Sequence, residues 1–322
     1  MKRILSVFLA LIAVLTLVAC GEKDPEPRTY MADGKYTAYT TGLNYGNPQI
    51  TWVTVTIEND EIKSFYIDQL QSNAPGEWKT QTKKELGFKY GMHCYTVGNG
   101  AYSGGVNDSN VDAYAADIKA AGKLEWHEQA ALIETHFLTT LDVTTDGAGI
   151  IQGITGVTIA DNDYIALAKQ AVENAKAGIV NTFKAGVYQG SAILTSAQAK
   201  VNAEGKITEV KIDELQSGVA EDTFSWNTQT KQQLGYKYGM HQYDLGIYAN
   251  LKDDANAEAL EQYKAAVAEN GKLEWFQQVD ALAAAWLGGA NVSNIASVSG
   301  VTISDTGYSA VLAALLTEGW TR

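Results

Sequence analysis

Val53, Val55 and Ile57 alternate with Thr54 and Thr56, Asn59-Asp60 interrupts, and Ile62 to Ile67 resumes a β-rich run. Period-two alternation on both sides of an Asn-Asp pair predicts a hairpin with one apolar face. The pattern returns far downstream, where Ala197, Ala199 and Val201 alternate with Gln198, Lys200 and Asn202 ahead of Glu204-Gly205 and the run Ile207 to Ile212. This second hairpin has the poorer apolar face. Helical spacing then takes over. Trp126, Ala130, Ile133 and Phe137 step by 4, 3 and 4, as do Trp275, Val279, Leu282 and Trp286, so each set forms a stripe on one helix face. Core packing accounts for these tryptophans. Terminal helices are expected over 164–175 and 308–316, each opened by a short turn of hydroxyl and glycine residues. Strands first and helices mixed in, without βαβ regularity, predict an α+β fold.

The recurrence goes beyond hydrophobicity. Trp78-Lys-Thr-Gln-Thr-Lys83 matches Trp226-Asn-Thr-Gln-Thr-Lys231, and Lys89-Tyr90-Gly91-Met92-His93 matches Lys237-Tyr238-Gly239-Met240-His241, both at an offset of 148. Asp68 to Ser72 answers to Asp213 to Ser217, Gly122 to Trp126 answers to Gly271 to Trp275, and Gly34-Lys-Tyr36 is paired with Gly186-Val-Tyr188. A period near 150 is far longer than a solenoid repeat. Two tandem copies of one domain are expected, over 30–178 and 183–322, with a short linker at 176–182.

Lys2-Arg3 and the apolar run Ile4 to Leu17, closed by Leu17-Val18-Ala19-Cys20, read as a secretory signal over 1–19, too short and wrongly flanked for a spanning helix. The ending resembles a bacterial lipobox, which implies cleavage before Cys20, lipid on its thiol and location on the extracytoplasmic face of the cell membrane. Residues 20–29, with two of the chain's 4 prolines, read as a solvated tether. Without Lys2 and Arg3, 22 basic residues face 37 acidic ones, a side-chain charge of −15. Nucleic acid is therefore a poor partner. Cys94, the second of 2 cysteines, faces Gln242 in the other copy and reads as a quiet, partly buried thiol. With no disulfide, each copy is expected to be stabilised by its own core.

Chemistry is expected at the closing turns, Thr155-Gly156-Val157-Thr158-Ile159 and Ser299-Gly300-Val301-Thr302-Ile303. A turn of this kind at a helix N-terminus offers a hydroxyl and free backbone N–H groups to a phosphate. At Thr158 those donors would be Ile159, Ala160 and Asp161. Taken alone the turns are also ordinary helix caps. Asp68 and Asp213 lack a paired carboxylate and read as strand-end caps. Gly98 to Gly105 lacks the Lys-Ser/Thr ending of a P-loop. His93 and His241 lack metal-ligand spacing, and no metal site or catalytic residue is predicted.

From residue 30 to the end the chain resembles the FMN-binding domain family, in the tandem form of the extracellular electron-transfer flavoprotein lipoproteins of Gram-positive bacteria. The resemblance is carried by Asp33-Gly-Lys-Tyr36 and its hairpin, by the segment Thr82 to Met92, by Glu125 to Gln129 and by the closing turn. It implies two copies of an FMN-binding-type domain in which a flavin transferase joins FMN to a threonine through a phosphoester. Mapped here, the acceptors are Thr158 and Thr302, on turns that include Thr155, Gly156, Ser299 and Gly300. The family has an aspartate six residues ahead of the acceptor and an alanine just before it. This chain has Gln152 and Ala296, then Val157 and Val301. The departures weigh more on covalent attachment than on flavin binding, and a valine side chain pointing outward would be tolerated. For the ring, Tyr90, Met92 and His93 and their twins Tyr238, Met240 and His241 are the candidate wall, offering an aromatic face, a thioether and a polar tip.

The expected function is a lipid-anchored flavoprotein that passes electrons from a membrane redox donor to extracellular acceptors, a carrier more than a substrate-specific enzyme. A different class stays open: a non-redox surface lipoprotein that binds a noncovalent ligand or a cell-wall component. The resemblance also includes precursors of pheromone peptides released from the signal segment.

Overall fold

The computed structural model describes residues 27–74, 76–220 and 223–322. The signal segment, Cys20 and the tether as far as residue 26 lie outside these. The expected tether ends early, because Thr29 N and Tyr30 N donate to the two oxygens of Asp60 (2.8 and 2.9 Å) and Arg28 pairs with Asp33. Among the described residues no helix is long and apolar enough to cross a membrane.

The alternating segments form antiparallel sheets. Strands β1 (Gly34–Asn44), β2 (Asn47–Glu58), β3 (Glu61–Ala74) and β4 (Glu77–Trp78) lie in sequential order in one sheet. Strands β5 (Ile179–Tyr188), β6 (Ser191–Val201), β7 (Ile207–Ala220) and β8 (Thr223–Trp226) repeat this in a second. Val53, Val55 and Ile57 are fully buried, as are Ala197 and Ala199 nearly so; the intervening polar residues face away from the core. Asn59 and Asp60 both take positive φ, the two-residue turn whose twist suits a hairpin.

The helices are α1 (Lys83–Leu86), α2 (Val111–Ala120), α3 (Trp126–Phe137) and α4 (Tyr164–Ala177) in the first copy and α5 (Lys231–Leu234), α6 (Ala257–Glu269), α7 (Trp275–Leu287) and α8 (Tyr308–Thr317) in the second; α2 and α6 pack on the turns at 87–90 and 235–238, and the others lie against their sheets. The stripes predicted on α3 and α7 pack against β3 and β7, and α4 and α8 lie across the first two strands of their sheets. The fold is α+β and duplicated.

Three expectations are corrected. First, the β1–β2 turn at Tyr45-Gly46 (φ 48° and 79°) has its twin at Gln189-Gly190 (φ 49° and 78°), so Gly42 answers to Gly186, and Gly34 to Gly178. Pairing Gly34 with Gly186 was displaced by eight residues. Second, 176–182 is no linker: α4 runs to Ala177, Gly178 turns the chain at φ +67°, and β5 begins at Ile179. A Cβ on Gly178 would lie 2.6 Å from Val201 O, so the turn needs glycine. Third, the copies do not stand on separate cores. Buried residues of both form one contiguous cluster. Phe183 packs on Tyr39 and Trp52 (centroids 4.9 and 5.3 Å), and Trp320 meets Tyr36 at 5.1 Å.

The contact between copies is reciprocal. Trp78 Nε1 donates to Gly186 O (2.8 Å) and Trp226 Nε1 to Gly42 O (3.1 Å). The two indoles stack at 6.2 Å with 30° between their planes.

Candidate functional site

Each site is built around a buried carboxylate at a helix start. Glu125 and Glu274 are fully buried and cap α3 and α7 through capping boxes. Beyond the cap, Glu125 accepts from Met92 N (3.1 and 3.2 Å) and from Tyr114 Oη (2.6 Å), which in turn accepts from His93 N (2.9 Å). Glu274, Met240, Tyr263 and His241 repeat the arrangement. Burial, with the neighbouring carboxylate second, holds both phenols well above the usual tyrosine range. The Tyr-Gly-Met-His segment is thereby fastened to the helix that follows it in the site. The histidines serve this fastening: His93 Nε2 contacts Leu124 O at 3.1 Å and His241 Nε2 contacts Leu273 O at 3.0 Å.

One turn along each helix, a buried glutamine holds the closing turn. Gln129 Oε1 accepts from Thr158 N (2.7 Å), Thr158 Oγ1 (3.3 Å) and Ile159 N (3.2 Å). Gln278 does the same for Thr302 N (2.7 Å), Thr302 Oγ1 (3.2 Å) and Ile303 N (3.2 Å). The amide nitrogens of both glutamines donate to Leu124 O and Leu273 O and touch the sulfurs of Met92 and Met240. Gly156 and Gly300 lie over the same leucines at φ +88° and +82°, where an added Cβ would come within 3.0 and 2.8 Å of a methyl group.

This geometry corrects the expected anion nest. The turns do not open helices: α4 starts at Tyr164 and α8 at Tyr308. In the first copy the chain between is held extended by a bridge from Ile150 to Ala160 and by Asp161 N on Gly149 O (2.9 Å). With Ile159 N on Gln129, two of the three expected phosphate donors are engaged. Nor do the valines point outward, since Val157 and Val301 are 8% and 5% exposed within the core. The hydroxyls themselves, on Thr155, Thr158, Ser299 and Thr302, are on exposed residues.

In the second copy these parts surround a cavity of about 500 Å³. Thr302, Ile303 and Ser304 form one side, Tyr238 and Met240 another, Tyr188 and Gln189 of the β5–β6 turn a third, with Lys231, Trp275 and Tyr308 below. Of the candidate residues, Thr302, Tyr238 and Met240 line it; His241, Ser299 and Gly300 do not. Lys231 is the residue that the site predictions missed. Its ammonium lies 4.7 Å from the Tyr238 centroid and 5.2 Å from that of Trp275, and 2.5 Å from the carboxylate of buried Glu214. Glu214 also accepts from Thr195, Thr306 and Tyr308. Lys83 holds the equivalent place in the first copy, 4.8 Å from Tyr90 and 5.3 Å from Trp126. Burial pushes its ammonium down to about 7. Both lysines lay in the repeated Thr-Gln-Thr-Lys and Glu125 in the repeated Gly122 to Trp126, with Gln129 answering to Gln278 at that same offset; repetition was the signal that could have found them.

The carboxylates Asp68 and Asp213 are not strand-end caps. They sit within β3 and β7 and accept from Lys84 N (3.0 Å) and Gln232 N (3.1 Å), receiving the first turns of α1 and α5. Burial raises both pKa values. Cys94 is half-buried and packs beside Tyr102, Tyr114 and Ile118.

No protein-family model matches the chain, and no curated protein does. A solution NMR structure of a protein from Clostridium thermocellum is 25% identical over 45% of this chain and 92% of its own, with a TM-score of 0.27. A superposition that loose carries neither fold nor site from one protein to the other.

Proposed function

We propose that each copy is a flavin site and that the protein is an exported, lipid-anchored electron carrier with FMN esterified to Thr158 and Thr302. The observation that carries this reading is the cavity of about 500 Å³ in the second copy, where the candidate acceptor Thr302 shares one wall-lined space with Tyr238, Met240 and Trp275. An aromatic recess whose lining is about evenly polar and apolar offers faces for a planar heteroaromatic ring and polar groups for its edge. The turn's own donors bear on how the phosphate is held. Because Gln278 takes the N–H groups of Thr302 and Ile303, the turn has little left with which to grip a free phosphate. It presents instead a hydroxyl, on an exposed residue, that donates to Gln278. This favours an ester over reversible phosphate binding and offsets the weight of Gln152 and Ala296.

Flavin, when bound, supplies one- and two-electron exchange. The chain's residues hold and tune. Gln129 and Gln278 hold the acceptor turn through its backbone N–H groups, Glu125 and Glu274 fix the Met-containing wall, and Lys83 and Lys231 set the charge beneath the recess.

The test is to export residues 21–322 in the presence of a flavin transferase, denature the product and measure fluorescence and mass. Two FMN groups are expected, with Thr158→Ala and Thr302→Ala each removing one. Colourless protein of unmodified mass would overturn attachment. Failure to bind free FMN as well would favour the non-redox ligand, and loss of a flavin through Thr155→Ala or Ser299→Ala would move the acceptor.

A further inference from the structure

The two sites differ at one buried position. In the second copy Glu214 is the common acceptor: its carboxylate meets Lys231 Nζ at 2.5 Å, Thr306 Oγ1 at 2.5 Å, Tyr308 Oη at 2.9 Å and Thr195 Oγ1 at 3.2 Å. Trp275 Nε1 donates to Tyr308 Oη at 3.0 Å, so the floor of this site is built on one carboxylate. In the first copy Gln69 stands in place of Glu214. Its carboxamide is already engaged, with Oε1 accepting from Lys83 Nζ and Nε2 donating to Thr51 Oγ1 (2.8 Å).

The consequence falls on the charge at the floor. Trp126 and Tyr164, counterparts of Trp275 and Tyr308 and 2% and 0% exposed, face one another, but no carboxylate stands among their hydrogen-bond partners in the described residues. The Lys83 ammonium thus rests on a neutral carboxamide where the twin site has a carboxylate. The neighbouring carboxylates are occupied elsewhere: Asp68 by Gln69 N, Lys84 N and Tyr66 Oη, and Glu125 by Met92 N, Trp126 N and Tyr114 Oη. Lys79 adds further positive charge near Lys83, and Asp68 opposes it.

We infer that the first copy takes its ligand in a negatively charged form and the second in a neutral form, so that the flavin on Thr158 sits at the higher potential and draws electrons from the one on Thr302. This rests on the flavin reading. A ring that has accepted two electrons and one proton carries one negative charge, and a second proton neutralises it. A buried cation held by a neutral carboxamide stabilises the charged form, whereas the Glu214–Lys231 pair, neutral as a whole, does not. In the transfer two electrons leave the ring of the second copy with two protons; one proton accompanies them to the first ring and the other goes to solvent.

Two measurements decide it. In the flavin-loaded protein, Thr302→Ala isolates the first site and Thr158→Ala the second for spectroelectrochemical titration. The first is expected to be more reducible by at least tenfold in equilibrium constant, about 30 mV for a two-electron couple. Gln69→Glu should lower the first potential and Glu214→Gln raise the second. Equal potentials, or swaps that move neither, overturn the inference. Independently of flavin, the unloaded protein is titrated with 2-naphthoate and with neutral 2-naphthamide while the indole N–H signals of Trp126 and Trp275 are followed by NMR. Naphthoate is expected to shift Trp126 in preference to Trp275, with the preference lost in Gln69→Glu. That preference in a protein that takes no flavin would sink the flavin reading and leave the charge selectivity standing; its absence there overturns both.

Discussion

At Lys83 a single side chain joins burial, charge and site chemistry. The residue is 7% exposed, and its ammonium rests over Tyr90 and Trp126 with only a neutral carboxamide as hydrogen-bond partner. Burial outweighs these contacts and lowers its pKa to about 7, against an unfolded value near 10.5. Between these values the unfolded chain carries a proton that the folded chain lacks, so raising the pH favours the folded state. Below pH 7 both states are protonated and the full penalty of the buried charge applies. We expect wild-type stability, measured by urea unfolding relative to Lys83→Met, to rise between pH 7 and 10 by roughly 1 kcal/mol per pH unit. A pH-independent difference between the two proteins would place Lys83 outside the buried environment described. The lysine itself was visible in sequence as part of an exact repeat, but its burial was not, because nothing local in Gln-Thr-Lys marks which side chain turns inward.

Among the elements, the closing turn departs most from what its residues suggest. Hydroxyl and glycine ahead of an apolar-periodic stretch is the ordinary signature of a helix start, yet the chain stays irregular to Tyr164 and Tyr308 because tertiary partners take its N–H groups first. The partner is a glutamine 29 residues upstream in one copy and 24 in the other. Separation on that scale leaves no periodic trace. Gln129→Ala should therefore leave α4 intact while freeing the turn. It strands the N–H of Ile159, a residue 6% exposed, at a cost of about 1–3 kcal/mol. We expect lower urea midpoints and faster amide exchange at Thr158 and Ile159, with helix content by circular dichroism unchanged. Loss of helix would mean that the turn and α4 form one unit. By contrast the hairpins and the α3 and α7 stripes were legible, since alternation and 3.6-residue spacing record which face of an element is buried whatever buries it.

The whole molecule is one packed body made of two like halves. Trp78 and Trp226 each donate to a strand carbonyl of the other copy and stack on one another, and the hydrophobic core runs through both halves. Calorimetry should show a single unfolding transition in the wild type. Replacing both half-buried tryptophans by alanine should split it into two; two transitions already present in the wild type would mean that the halves fold independently. The sequence by itself determined the duplication, the hairpins, the amphipathic helices and the acidic surface, because each is written in composition, spacing or repetition along the chain. Only the tertiary structure decided that the boundary between copies is one glycine, that Gly42 and not Gly34 is the twin of Gly186, that the closing turns are held by glutamines, and that a buried lysine lies beneath each site with a carboxylate opposite it in one copy alone. These depend on distances between residues far apart in sequence, and a linear pattern carries no record of which distant partner a polar group finds.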